Sequence, residues 1–236
     1  MSRTLPGRLS LLSAAALASA CAGDATAPIP DTAPAVFAVT GDAFTDAFDA
    51  WNPGLWSAEE HPLGKGWFRA ANVSVSGGTL NLASPAGTTD GAEIASLDRY
   101  GFGRFTASLR CGMPAGSLCA FFLYEGVPGD RNDEIDFEVL AGTRTLWMTT
   151  WSRGRQTNHA EITLPFDPAL DYHEYAIEYG RSAVTFHVDG VLRARFTRKL
   201  PRKAMKLYAN AWWPTWLNEP PSGADGYLRI DWIEAG

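Results

Sequence analysis

From Ala43 onward the chain repeats one pattern: short runs of alternating apolar and polar residues, cut by Gly, Asn, Asp and Pro. Alternation with period two sends successive side chains to opposite faces, which is what a half-buried strand requires. No stripe long enough for an amphipathic helix interrupts it. Residues 79–83, 104–110, 118–124, 134–140, 146–151, 173–179, 183–188, 192–196, 206–212 and 227–233 are the clearest strand candidates. Asp189-Gly190, set between two alternating runs, predicts a tight hairpin turn. So many strands cannot bury their apolar faces within one sheet. The chain is therefore expected to be all-β, a curved two-sheet antiparallel sandwich whose concave face could hold a long polymer.

The composition narrows the function. Apolar residues make up 46% and charged residues 19%, as in a folded domain. A net charge of −6 argues against nucleic acid as a partner, because a phosphate-binding surface needs clustered Lys and Arg. The four His show no HxH or HExxH spacing and the three Cys no CxxC pair, so neither pattern offers a catalytic metal. Nine Trp are more than a core needs. They suggest either a flat stacking surface or a Trp-rich β core.

The first segment reads as an address. Residues 1–20 hold Arg3 and Arg8 and then an apolar, Ala-rich run too short to span a bilayer, the shape of an export signal. Leu17-Ala18-Ser19-Ala20-Cys21 resembles a lipoprotein signal with Cys21 as the lipidated residue, and Ala18-Ser19-Ala20 also fits ordinary cleavage. Residues 21–40 form an Ala/Pro/Thr-rich tether, and 41–236 the folded β domain. Either exit takes the chain out of the cytoplasm, with membrane contact only through a lipid anchor. Outside the cytoplasm Cys111 and Cys119 are free to pair across the turn-like segment between them, or stay as two buried thiols.

The chemistry lies in Asp133-Glu134-Ile135-Asp136-Phe137-Glu138-Val139-Leu140. As a strand, this places Glu134, Asp136 and Glu138 on one face and Ile135, Phe137 and Val139 on the other. The apolar set belongs in a core. The three carboxylates stand roughly 6.6 Å apart at successive Cα positions, repel one another and raise one another's pKa. Glu134 and Glu138, about 13 Å apart at Cα, can bring their carboxyl groups to about 5–6 Å, close to the separation of retaining glycosidases. Glu134 is then the nucleophile, Glu138 the acid and later the base, and Asp136 the partner that shares a proton with Glu134.

Glu-Ile-Asp-Phe-Glu resembles the signature of glycoside hydrolase family 16, in its form without a β-bulge, as in bacterial lichenases and xyloglucan endotransglycosylases. The resemblance implies a concanavalin-like β-jelly roll and assigns Glu134, Asp136 and Glu138 the roles just given. The 67–74 segment is similar to one placing an aromatic and an Arg along the sugar groove, hence Phe68 and Arg69. Asp90-Gly91-Ala92-Glu93 is similar to the segment giving a sugar-binding Glu, hence Glu93. Asn210-Ala211-Trp212 with Trp216 is similar to the C-terminal groove motif, and Thr149 falls where lichenases carry Asn. Trp151, Trp212 and Trp216 are the expected sugar platform, with Arg69, Glu93 and Asn210 meeting hydroxyls. Relatives' structural calcium would fall at Asp231, with the Ala47 and Gly78 carbonyls; catalysis needs no cofactor.

The expectation is a monomeric, endo-acting, retaining β-glucan hydrolase of lichenase type, acting on β-1,3/1,4-glucan. Two alternatives stand beside it. One is a transglycosylase on xyloglucan or a related glucan; the other is a non-catalytic glycan-binding module.

Overall fold

The computed structural model describes residues 41–127 and 130–236; the export signal, Cys21 and the tether lie outside the described residues. In chain order the strands are β1 (Phe44–Asp46), β2 (Trp56–Ala58), β3 (His61–Leu63), β4 (Gly66–Phe68), β5 (Val73–Val75), β6 (Leu80–Ser84), β7 (Ala92–Ser96), β8 (Gly103–Gly112), β9 (Leu118–Val127), β10 (Asp130–Leu140), β11 (Thr145–Ser152), β12 (Arg155–Thr163), β13 (His173–Tyr179), β14 (Val184–Val188), β15 (Val191–Phe196), β16 (Lys206–Trp212) and β17 (Gly226–Ala235). Among the described residues a single 3-10 turn, Ala70–Asn72, precedes β5. Eight strands form one sheet in the order β15-β14-β13-β8-β17-β6-β5, with β1 also on β17, and seven form the other in the order β12-β11-β10-β9-β16-β7-β2. All pairings between these strands are antiparallel, and β3 and β4 make a separate hairpin.

The core is the space between the two sheets. Ile135, Phe137 and Val139 of β10 meet Phe105, Tyr175, Ile177 and Phe186 from the facing sheet, all buried. Phe137 sits edge-on to both Tyr175 and Phe186, with centroids 5.5 and 5.0 Å away. These contacts hold the apolar face of β10 and leave its other face turned away from the core. Cys111 on β8 and Cys119 on β9 form a disulfide with Cα atoms 5.9 Å apart, tying the two sheets together at that corner.

The Asp189-Gly190 turn has the expected form. Both residues have positive φ, 51° and 73°, and Val188 pairs with Val191 across them. Arg153-Gly154 repeats the device between β11 and β12, with φ 54° and 75° and Ser152 opposite Arg155. The Ser152-to-Arg155 segment is thus the tip of a hairpin whose second strand, β12, has no clear alternation in sequence.

Candidate active site

Register builds the site. From Asp133 to Leu140, β10 pairs with β9 without interruption, the shift lying earlier, between Asp130 and Asp133. Glu134 is flanked by Tyr124 and Trp151, Asp136 by Phe122 and Thr149, and Glu138 by Ala120 and Trp147. Beyond β9, strand β16 adds Lys206, Tyr208 and Asn210 to the same three rows, and β7 adds Glu93 beside Asn210. Directly paired residues of a sheet share a face, so the catalytic strand stands within a continuous floor of aromatic and polar groups. Ala120, between Glu138 and Asn210, is the small residue in that floor.

The carboxylates are held where ionisation is costly. Asp136 is 5% exposed, and its Oδ1 has no protein partner. Burial, then repulsion from Glu134 and Glu138, push its pKa well above the usual carboxylate range. Glu134 is pushed up to about 7, chiefly by burial; the hydrogen bond with Asp136 works against that shift and repulsion from Glu138 adds to it. Asn132 Nδ2 donates to Glu134 Oε2 at 2.9 Å, fixing the carboxylate. Glu138 is pushed up to about 7 by burial. The site can therefore hold an ionised and a protonated carboxyl together near neutral pH, with the proton between Glu134 and Asp136 shared.

The remaining expected residues divide. Glu93, 5% exposed, receives His61 Nε2 at 3.0 Å and Asn210 Nδ2 at 2.8 Å, and Asn210 keeps a buried Oδ1 without a partner. The hydrogen bond between His61 and Glu93 is the main cause lifting the His61 pKa to about 9. Trp151 is half-buried beside Glu134. Trp212 is half-buried too; a side chain at Gly64, where φ is +60°, would lie 2.8 Å from its ring. Trp216, 45% exposed, stacks on Trp147 with centroids 5.0 Å apart and planes at 18°. Arg69 is bound by Asp90 and Glu60, each at 3.1 Å, and lies over the Trp67 ring.

Phe68 is a correction. It is 1% exposed and packs against the His61 ring, so it has no face to offer a sugar. Adjacent strand residues point to opposite sides, and the exposed one is Trp67, at 44%.

Several residues on this face are not among the expected site residues. Trp147 is anchored by its Nε1–H to Glu161 Oε2 at 2.8 Å. Phe122 and Tyr208 stack at 5.0 Å, and Tyr124 meets Tyr208 edge-on. His159 bonds Thr149 Oγ1 at 3.1 Å. The signal was parity: within expected strands, Trp147 shares a face with Trp151, Tyr124 and Phe122 pair with the carboxylates, and Tyr208 alternates with Asn210.

Comparison with known proteins decides the family. The profile described as "Glycosyl hydrolases family 16" matches residues 65–234. The chain belongs to glycosyl hydrolase family 16. It is 31% identical to the β-glucanase of Bacillus subtilis (strain 168) over 210 residues, 83% of this chain and 87% of that one. It is 32% identical to xyloglucan endotransglycosylase/hydrolase protein 8 of Oryza sativa subsp. japonica over 178 residues, 69% of this chain and 58% of that one. The solved Bacillus licheniformis β-glucanase superposes with a TM-score of 0.77 at 26% identity, covering 83% of this chain and 98% of that chain. As a family 16 member the protein is a glycoside hydrolase, built on the two-sheet sandwich of those relatives.

Proposed function

We propose that this domain is an endo-acting, retaining hydrolase of mixed-linkage β-1,3/1,4-glucan. The observation that carries this is the unbroken register of Glu134, Asp136 and Glu138 on one aromatic-floored face of β10; the names of its β-glucanase relatives support the substrate. Glu134 attacks the anomeric carbon while the leaving glycosidic oxygen takes the proton of Glu138. The bond from that carbon to the leaving sugar breaks as a glycosyl ester forms on Glu134. Glu138, now ionised, takes a proton from water, and the resulting oxygen nucleophile displaces Glu134. Esterification removes the charge of Glu134 and with it the repulsion toward Glu138 and Asp136, which eases the ionisation of both. No cofactor enters either step.

Product analysis tests the reading. Oligosaccharides released from barley mixed-linkage glucan should appear first as the β-anomer by proton NMR, and a Glu134→Ala chain should release none. The α-anomer appearing first would overturn double displacement. Glucan binding with no new reducing ends in the native chain would leave a binding module.

A second reading, transfer to a sugar acceptor, is favoured by the likeness to the rice transglycosylase/hydrolase and by the Trp147–Trp216 stack beside Glu138. Chain-length scrambling that depends on added oligosaccharide would identify it.

The enzyme is further proposed to act as an exported monomer, lipid-anchored through Cys21; the Cys111–Cys119 disulfide suits an oxidising compartment. The Asp231 region also fits a structural calcium. Asp231 is exposed where β17 shifts register between Ile230 and Trp232. Ala47 and Gly78 adjoin this stretch, because Asp46 pairs with Ile233 and Leu80 with Ile230. One carboxylate with backbone carbonyls suits a hard cation that takes oxygen ligands. Its role would be to brace β1 and β6 against β17, away from the catalytic strand.

A further inference from the structure

The chain has 26 acidic and 20 basic residues, yet residues 191–203 contain six Lys and Arg and no acid. The fold draws the end of this segment beside Glu134. Asp133, 2% exposed, accepts hydrogen bonds from three backbone amides: Arg153 at 2.9 Å, Arg202 at 2.7 Å and Lys203 at 3.2 Å. They bind the β11–β12 turn and the connection before β16 to the head of β10. Asn158 Nδ2 donates to the Arg198 carbonyl at 3.0 Å and closes the same connection against β12. Arg153, Arg155, Arg198, Lys199 and Arg202 are exposed along this rim. Lys206 continues the charge onto the carboxylate face of the sheet, in the row of Tyr124 and Glu134. Among the described residues, Arg153, Arg155, Arg198, Lys199 and Lys206 have no carboxylate partner.

The backbone adds an independent observation. Five non-glycine residues among those described have positive φ: Phe48, Arg131, Arg153, Asp189 and Lys199. Three of the five are basic and lie at this rim, Arg131 being held there by Lys203 Nζ on its carbonyl at 2.5 Å. Glycine adopts this conformation without steric cost, whereas a long side chain does not. Cationic side chains therefore occupy positions where local geometry favours glycine, a pattern associated with functional sites.

We propose that this basic rim is an anion-binding extension of the cleft, taking carboxylate, sulfate or phosphate substituents of a glycan whose sugar backbone lies over Glu134 and Glu138. The proposal rests on the glycosidase reading for the cleft itself. Guanidinium groups match the oxygens of such anions in a two-pronged geometry. Each exposed contact is weak and screened by salt, but contacts repeated along one polymer add up. A glycan fits better than a lipid surface, because Lys206 carries the charge into the row of Tyr124 and Glu134, where its side chain is half-buried and a flat bilayer cannot follow.

The test is a chain carrying Arg153→Gly, Lys199→Gly and Arg198→Gln. The two glycines relieve left-handed backbone, so the variant should melt no lower than the native chain. Kinetics on unmodified and carboxymethylated mixed-linkage glucan are compared at about 20 mM and about 500 mM NaCl. At low salt the native enzyme should show a KM about fivefold lower on the carboxymethylated polymer. That advantage should vanish in high salt and in the variant, with kcat and KM on the neutral polymer unchanged. Equal KM values in the native enzyme, or an advantage that the variant keeps, would overturn the proposal. If neither polymer is cleaved, the hydrolase reading fails separately, and affinity gels cast with the carboxymethylated glucan decide the rim. Stronger retardation of the native chain than of the variant supports it, and equal mobility overturns it. Charge-dependent binding to phosphatidylglycerol vesicles with no preference for the anionic glucan would assign the rim to a membrane and overturn the glycan.

Discussion

The two faces of β10 belong to the same strand and obey opposite rules. On one, Ile135, Phe137 and Val139 are nearly fully buried among apolar neighbours. On the other, Glu134, Asp136 and Glu138 are withdrawn from water without opposite charges to compensate, and Asp136 Oδ1 has no protein partner. The first face stabilises the fold; the second opposes it. Such opposition persists where the surrounding structure over-determines it, here through the uninterrupted pairing of β10 with β9 and β11 and the backbone bonds to Asp133. The apolar face therefore serves as the anchor for the strained one.

The largest effect that could break this contrast is on catalysis. Glu134→Gln keeps size and removes the nucleophile, and kcat on mixed-linkage glucan should fall about ten-thousandfold or more. A loss below about tenfold would remove Glu134 from the centre of the reaction. Turning to the other face, Phe137→Ala should cost about 3–5 kcal/mol in a denaturant titration, the usual penalty for emptying a buried aromatic site. An unchanged midpoint would mean that the apolar face is not the anchor.

The carboxylate face also makes a prediction about stability, with a definite sign. Glu134 and Glu138 are raised from ordinary carboxylate values to about 7, so the native state binds their protons more tightly than the unfolded chain does. That stability is fully present below the unfolded pKa and is lost as pH rises through about 7. Glu134→Gln escapes the loss. At pH about 8 the variant should be more stable than the native chain by about 2 kcal/mol, a Tm rise of roughly 5 °C, and the difference should shrink toward acid pH. A variant that melts lower at alkaline pH would show that the carboxylates are not under strain. In the native enzyme, the activity limb above about 7 should report Glu138 losing its proton.

How far the sequence revealed all this differs between the same two regions. Alternating strands were legible: β6, β8, β9, β10, β11, β13, β14, β15, β16 and β17 each overlap an expected run. β7 escaped because Ala92–Ser96 is buried on both faces and shows no alternation. β12 escaped because Arg155–Thr163 forms the sheet edge and is polar or half-exposed over most of its length. In the site, the carboxylates were legible because their spacing has a chemical meaning within one strand. The floor around them was less so, since Trp147, Phe122 and Tyr208 reach Glu138 and Asp136 through cross-strand register, which one strand cannot specify. Phe68 was misplaced for a related reason: a resemblance locates the segment, but which of Trp67 and Phe68 turns inward depends on the β3–β4 hairpin.

The smallest expected effect sharpens the comparison on the carboxylate side, at the stack of Trp147 and Trp216. Trp147 stands beside Glu138, is held by Glu161 and His159 contacts, and supports Trp216 from the segment after β16. A ring fixed from both sides presents a flat face at little entropic cost, suited to the sugar that Glu138 protonates and releases. Trp216→Ala should raise KM about threefold to tenfold and leave kcat on an activated aryl glycoside almost unchanged, because that leaving group needs neither the platform nor full protonation. Trp147→Ala should do nearly as much, and the double variant little more than either, since each ring acts through the other. Additive losses in that cycle would separate the rings into independent contacts. A matching fall in kcat on the activated substrate would move Trp147 from binding the sugar to positioning Glu138.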